Sequence, residues 1–228
     1  MATLKRPLLK VYDALSRAFG PMRWWPAETP FEVMVGAILT QNTAWTNVEK
    51  AIANLKARDL MQPERLAALD PAALATLLRP AGYFNVKTRR LRAFLDYLLN
   101  TYGGEVGRMR REETARLRAE LLSVHGVGAE TADSILLYAL GKPAFVVDAY
   151  TRRVFHRLGL SAADATYDDL QRMFVSALPR DVDLYNEYHA LIVALGKDYC
   201  RPKPRCEGCP VKKHCKYYRI NVRPSPTP

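Results

Sequence analysis

Apolar residues recur with helical spacing along almost the whole chain, and this pattern limits the possible folds more than any other feature of the sequence. The clearest example is a predicted helix face that carries Phe31, Met34, Val35, Ile38 and Leu39, which are the i, i+3, i+4, i+7 and i+8 positions of a buried stripe. Strict polar–apolar alternation is absent, and the one β-like run, at 144–147, is short. The sequence therefore predicts an all-α protein, with helical stretches at 8–19, 44–57, 63–69, 71–78, 85–101, 113–123, 130–140, 149–158, 167–178 and 184–196.

Helix N-termini are marked at two places. Thr29, Pro30 and Glu32 supply an N-cap, a proline at the first helical position and a capping-box glutamate. Thr166 and Asp169 have the spacing of a second capping box. We therefore expect one helix to begin after Thr29 and another after Thr166.

Basic residues outnumber acidic ones, with 34 Lys and Arg against 23 Asp and Glu and a net charge of +11. This excess favours a polyanionic partner, with nucleic acid first and an acidic membrane surface second. No apolar run approaches the roughly 18 residues of a membrane span, and the residues after Met1 do not form a secretory leader. We therefore expect a soluble, monomeric, cytoplasmic protein associated with the nucleoid, with a frayed tail at 223–228.

All four cysteines fall between residues 200 and 215. A secreted disulfide framework distributes its cysteines to close long loops, whereas four in one loop are typical of ligands for a single metal centre. Thiolates suit zinc or an iron–sulfur cluster. Zinc sites usually combine two short Cys-x2–4-Cys pairs, but here a single short pair is flanked by two wider gaps. We therefore favour a [4Fe–4S] cluster over zinc, with the ligands Cys200, Cys206, Cys209 and Cys215.

Two glycines interrupt the helical pattern between residues 113 and 140. Gly126 and Gly128 permit a tight hairpin with positive φ and close approach to another backbone. The next helix begins immediately, so its first amides can hold a phosphate oxygen with backbone N–H groups and the helix dipole. The pattern is typical of a helix–hairpin–helix, which grips a DNA backbone whatever its sequence. A plain glycine turn between two core helices is the alternative.

One aspartate stands where a helix begins. Asp148 follows the apolar run 144–147 and precedes a helical stretch, so it can simply cap that helix. A partly desolvated carboxylate close to a deoxyribose has a second use. It can stabilise the positive charge that develops at C1′ as a base departs, or it can activate water.

The hairpin, the loop that ends at Asp148 and the cysteine cluster, in this order, resemble the helix–hairpin–helix DNA glycosylase superfamily in its endonuclease III branch. The resemblance spans almost the whole chain and implies that Asp148 is the catalytic aspartate. It also implies two all-α domains with DNA in the cleft between them. These are a six-helix barrel at 29–140 that includes the helix–hairpin–helix (113–140), and a domain formed by 1–28 and 141–228 that includes the cluster loop (197–216).

The same resemblance bears on the type of reaction. Superfamily members that also cleave the DNA strand carry a lysine in the hairpin, whose amine forms a Schiff base with C1′. Here that position holds Glu130, and a carboxylate cannot form an imine. A monofunctional, hydrolytic enzyme without AP-lyase activity is therefore expected. The simpler interpretation of Glu130 is that it complements the helix dipole in a first turn.

Aromatic residues beside predicted loops point to the substrate. The segments 22–26, 39–45, 78–85 and 134–138 resemble the type III 3-methyladenine DNA glycosylases, which stack a flipped purine between aromatic side chains. An N-alkylated purine is cationic, and indole rings attract a cation by about 0.5–2 kcal/mol. The resemblance implies a base pocket that contains Trp24, Trp25, Trp45, Glu130 and Lys197. Ordinary core packing is the alternative for the three tryptophans, and a surface lysine beside the cluster loop is the alternative for Lys197.

The resemblance further implies binding to double-stranded DNA that contains a damaged base. Gln41 would fill the gap that the extruded base leaves in the duplex. The other expected DNA contacts are Asn42, His125, Gly126, Val127, Gly128, Thr131 and Tyr150.

The resemblance favours a base-excision-repair glycosylase for alkylated purines such as 3-methyladenine. Within the same class, the alternative is an endonuclease III-like glycosylase for oxidised pyrimidines or mismatched bases. Outside that class, the alternative is a non-catalytic protein that binds DNA lesions.

Overall fold

The computed structural model describes residues 2–22 and 24–222, so the tail predicted at 223–228 lies outside the described residues. The described residues contain no strand, and the predicted all-α fold is confirmed. Short 3₁₀ turns occur at Arg79–Ala81 and Lys212–His214, and a π-helical turn occurs at Ile135–Ala139. The helices are α1 (Ala2–Phe19), α2 (Pro30–Leu39), α3 (Trp45–Lys56), α4 (Pro63–Ala68), α5 (Pro71–Leu78), α6 (Phe84–Tyr102), α7 (Val106–Arg111), α8 (Thr114–Ser123), α9 (Ala129–Ser134), α10 (Ala149–Leu158), α11 (Tyr167–Ala177), α12 (Val182–Asp198) and α13 (Lys216–Asn221).

The chain divides into two compact units. One comprises Met1–Trp24 together with Pro143–Pro228, and the other comprises Trp25–Lys142. The first unit therefore contains α1 and α10 to α13, and the second contains α2 to α9. No helix among the described residues has both the length and the apolar composition that crossing a membrane requires.

Helix α2 forms the centre of the second unit, because every residue from Phe31 to Leu39 is buried. Its N-terminus is capped by Thr29, whose hydroxyl accepts a hydrogen bond from the Glu32 amide at 3.1 Å. The Glu32 carboxylate does not complete the expected capping box. It accepts from the Glu28 amide at 3.1 Å and pairs with Lys56 Nζ at 2.9 Å. The nearby ammonium of Lys56 draws the carboxylate away from Thr29.

The first unit is organised around buried aromatic rings. Phe145 and Phe174 stack with centroids 3.8 Å apart, and the rings of Phe155 and Tyr188 pack edge-on against Phe174. Phe145 lies in the β-like run 144–147, which is buried but forms no strand. Because Gln171 Nε2 also donates to Phe145 O at 2.8 Å, the segment that leads into Asp148 is held firmly.

The second predicted capping box is confirmed. The Thr166 hydroxyl accepts from the Asp169 amide at 3.1 Å, and the Asp169 carboxylate accepts from the Thr166 amide at 3.1 Å. Helix α11, which supplies Phe174 to the aromatic core, therefore starts at the position that the sequence indicated.

Candidate active site and nucleic-acid interface

Asp148 is the N-cap of α10. Its Oδ1 atom accepts hydrogen bonds from the Thr151 amide at 2.7 Å and from Thr151 Oγ1 at 2.9 Å. Capping explains Oδ1 completely, but it makes no use of the second oxygen. The Asp148 side chain is 12% exposed. The surroundings of Oδ2 differ from those of Oδ1.

That environment contains a histidine. Nε2 of His189, on α12, lies 3.6 Å from Asp148 Oδ2, and the His189 side chain is 6% exposed. Burial by itself raises the pKa of Asp148, but the contact with His189 and the two bonds from Thr151 outweigh it, so that the pKa lies below its ordinary value. A buried carboxylate with a lowered pKa is a persistent negative charge at neutral pH.

His189 was not predicted as a site residue. It lies in an otherwise apolar stretch of α12, and its neighbours Tyr188, Ala190 and Leu191 are all buried. In sequence such a histidine has the pattern of a core residue, so no local signal could have distinguished it.

Two predicted pocket residues in the first unit lie near this pair. The Trp24 ring packs edge-on against His189 with centroids 6.4 Å apart, and Lys197 Nζ lies 5.7 Å from the Trp24 ring centroid. Tyr150 packs on Gly196 of α12, where an added Cβ would overlap its ring. In the first unit, Trp24 therefore lies between Lys197 and His189, the residue that contacts Asp148.

The other two tryptophans form a separate aromatic cluster in the second unit. Trp25 lies 5.3 Å from Trp45 in an edge-on arrangement and 4.9 Å from Tyr138 at an interplanar angle of 30°. Gly36 makes room for them, because a Cβ there would come within 3.3 Å of Trp45 and 3.5 Å of Trp25. Trp25 has a left-handed φ of 69°. Tyr138, in the π-helical turn, completes the cluster and was not among the predicted site residues.

The predicted hairpin connects α8 to α9. Gly126 has a φ of 82°, a value that favours glycine. Asp133 of α9 is fully buried, and its two carboxylate oxygens accept from Arg118 of α8 at 2.7 and 3.0 Å. This bidentate pair fixes the angle between the two helices and therefore the shape of the hairpin.

The residues predicted to contact DNA from this region differ in exposure. Val127 and Thr131 are buried, and Gly126 is half-buried. Gln41, in the turn after α2, points its amide at the hairpin and donates to Gly126 O at 3.0 Å and Thr131 Oγ1 at 2.9 Å. The exposed members of this set are Asn42, His125 and Gly128, and the predicted pocket residue Glu130 is exposed as well.

The four cysteines line one cavity in the first unit, and none of them is in a disulfide. Arg157 lies on α10 and anchors the start of the cysteine loop to that helix. Its guanidinium lies 3.5 Å from Cys200 Sγ and donates a hydrogen bond to Pro202 O at 3.0 Å. No three His, Cys, Asp or Glu side chains in the described part of the chain are arranged to hold a metal ion. The thiols surround a space whose other walls are mostly apolar and include Val154, Leu158, Leu195, Pro204, Val211 and Tyr217.

Comparison with known proteins identifies the family. Residues 35–180 match the model of the HhH-GPD superfamily base excision DNA repair proteins. The chain is 49% identical over 209 residues to MJ1434 of Methanocaldococcus jannaschii, provisionally named a DNA repair glycosylase, covering 91% of this chain and 95% of that protein.

Two solved structures are also similar. The trapped endonuclease III–DNA covalent intermediate superposes with a TM-score of 0.84 over 96% of this chain and 99% of that one, and its 24% identity bears on the fold alone. The H. pylori 3-methyladenine DNA glycosylase bound to 1,N6-ethenoadenine has a TM-score of 0.71 at 30% identity, covering 85% of this chain and 97% of that one.

Proposed function

Because the chain belongs to the HhH-GPD superfamily of base excision DNA repair proteins, we propose that it is a monofunctional DNA glycosylase that hydrolyses the N-glycosidic bond of a damaged, extruded base. One observation carries this proposal. The carboxylate of Asp148 uses Oδ1 to cap α10, whereas Oδ2 faces His189 at 3.6 Å in a side chain that keeps 12% exposure. An aspartate needed for capping alone would not require a histidine at its second oxygen.

The chemistry follows from the charge on Asp148. As a glycosidic bond breaks, positive charge develops at C1′ of the sugar, and a fixed negative charge nearby stabilises it. The lowered pKa of Asp148 keeps the carboxylate ionised at neutral pH, so no proton has to leave before the reaction begins. The same carboxylate can orient the water that attacks C1′.

The absence of strand cleavage is proposed from Glu130. This residue is exposed in the first turn of α9, at the position where strand-cleaving members carry the lysine that forms a Schiff base. Lys87 has a pKa lowered to about 8 by burial and by Arg90, but it is 1% exposed and donates to Ala81 O at 2.7 Å. Its amine is therefore committed to a structural bond.

The aromatic residues favour a cationic purine as the damaged base. Trp25, Trp45 and Tyr138 form one cluster and carry this argument, whereas the Trp24 ring already faces the Lys197 ammonium. Indole faces attract a positive base by about 0.5–2 kcal/mol, and an N-alkylated purine already has a weakened glycosidic bond. The similarity to a 3-methyladenine glycosylase supports this substrate class. The cysteine loop instead favours the endonuclease III branch, whose members would act on oxidised pyrimidines or mismatched bases.

We also propose that the four cysteines hold a [4Fe–4S] cluster. Each iron at a ligated corner of such a cluster takes one thiolate, so four thiols placed around a cavity fit a cluster better than they fit one zinc ion, which draws its ligands to a single point. When bound, the cluster would supply covalent links that hold the loop together. The loop would then present basic side chains to DNA phosphates, namely Lys203, Arg205, Lys212 and Lys213.

The test is an excision assay with duplexes that contain 3-methyladenine, hypoxanthine, thymine glycol, uracil or mismatched adenine. We expect release of the alkylated purine, an intact abasic strand and no covalent adduct after borohydride. Release of thymine glycol alone would refute the alkylation proposal. A borohydride adduct would refute the monofunctional proposal. Failure to release any base, with retained binding to lesion-containing DNA, would support a lesion-binding protein in place of an enzyme.

A further inference from the structure

Gln41 was predicted to fill a gap in the duplex, but in the structure its side-chain amide is bonded to the hairpin. Nε2 donates to Gly126 O at 3.0 Å and to Thr131 Oγ1 at 2.9 Å. On the other side of the amide, Oε1 accepts a hydrogen bond from Arg90 Nη1. Both ends of the Gln41 amide are therefore occupied within the second unit.

Arg90, on α6, contacts both Gln41 and the hairpin. Its aliphatic stem lies against Gly126 so closely that a Cβ at Gly126 would overlap Arg90 Cγ. Gly126 is consequently required for two independent reasons, the left-handed φ of 82° and the packing of the Arg90 stem. One arginine thus covers the hairpin with its stem and holds Gln41 with its guanidinium.

These contacts fix one peptide plane in the hairpin. The Gly126 carbonyl accepts from Gln41, and the Val127 amide of the same peptide donates to Val124 O at 3.0 Å. Because a peptide unit is planar, bonds at both of its edges define its orientation. A turn whose peptide plane is already fixed loses little conformational entropy when a ligand binds it.

We propose that Gln41 and Arg90 form a clamp that holds the hairpin in its DNA-binding conformation before any base is extruded. The inference rests on the proposed function only in taking the hairpin as an element that binds DNA. With its amide bonded to Gly126, Thr131 and Arg90, Gln41 supports the hairpin in the free protein.

The clamp is tested with Gln41→Met, which keeps the length of the side chain and removes its polar end, and with Arg90→Met, which keeps an apolar stem against Gly126 and removes the guanidinium. Arg89→Met is the matched control, because it removes the same charge from an exposed position next to Arg90 on the same helix. Hydrogen exchange of the hairpin amides at 126–131 is measured in the DNA-free protein. Affinity for an undamaged duplex and for a duplex with an abasic analogue is measured by fluorescence anisotropy at one salt concentration.

We expect Gln41→Met and Arg90→Met each to raise hairpin exchange and to weaken binding to the undamaged duplex by about fivefold, the effect of one lost hydrogen bond. The double variant should be little worse than either single variant, because both break the same clamp. Arg89→Met should leave hairpin exchange unchanged. Exchange in α3 reports whether each variant is folded.

Unchanged hairpin exchange in both variants would overturn the clamp, as would a loss of affinity confined to the abasic duplex, which would make Gln41 a gap-filling residue only. None of these measurements involves base release. A protein that excises nothing therefore refutes the proposed function and leaves the clamp to be judged by its own data. Equally, a failed clamp leaves the excision assay unaffected.

Discussion

Replacing Asp148 with asparagine separates the two uses of this side chain. An asparagine carbonyl can still accept from the Thr151 amide, as Asp148 Oδ1 does at 2.7 Å, and asparagine is as good an N-cap as aspartate. What disappears is the negative charge. A unit charge about 4 Å from a developing cation contributes about 4 kcal/mol at an effective dielectric constant near 20, which corresponds to about a thousandfold in rate.

The assay is single-turnover release of an alkylated purine, with thermal unfolding and DNA affinity measured on the same proteins. Asp181→Asn is the matched control, because Asp181 caps α12 by accepting from the Leu184 amide at 2.9 Å and is exposed. We expect Asp148→Asn to lose about three orders of magnitude in rate with little change in stability or DNA affinity. Asp181→Asn should keep the full rate.

Asp148→Ala adds a check on the cap itself. Alanine removes both the charge and the acceptor, so it should also cost about 1 kcal/mol of stability. If Asp148→Asn released the base within about tenfold of the wild-type rate, the charge of Asp148 would not be needed for excision. A loss of rate fully explained by unfolding of α10 would make Asp148 a capping residue alone.

The remaining predictions concern the surroundings of the site. His189→Phe removes one of the contacts that lower the pKa of Asp148, so this pKa should rise. The acid limb of the pH–rate profile should then move to higher pH, with partial recovery in His189→Gln. Because the pKa of Asp148 is lower in the folded protein than in the unfolded chain, its ionised carboxylate stabilises the fold at pH values above the ordinary aspartate pKa. This stabilisation is lost as the pH falls through the pKa of Asp148 in the folded protein. Acid unfolding of His189→Phe should therefore begin at higher pH. Asp133→Ala leaves the Arg118 guanidinium without its buried carboxylate and should cost about 3 kcal/mol in urea unfolding, whereas full stability would show that the pair is dispensable. Wild-type protein should purify with visible absorption and bound iron that Cys209→Ser loses, and a colourless zinc protein would contradict the cluster.

Much of the fold could be predicted because helix formation is governed by residues a few positions apart. The apolar spacing of Phe31 to Leu39 and the Thr166–Asp169 capping box are local patterns, and the structure has α2 and α11 where those patterns indicated. Two helices, α7 and α13, were missed. Each has six residues, and neither begins with a proline such as Pro63, which marks the equally short α4.

The capping role of Asp148 could also be predicted, because its position before a helix is a local property, and the structure confirms Asp148 as an N-cap. The surroundings of Asp148 could not be predicted. His189 on an apolar face of α12 and Arg90 on α6 have the same local pattern whatever they touch. Arg90 meets Gln41 across a separation of 49 residues, and such a contact depends on how whole helices pack. Neighbouring residues along the chain thus define the helices and their caps, whereas packing between distant helices gives Asp148 its charge environment and the hairpin its support.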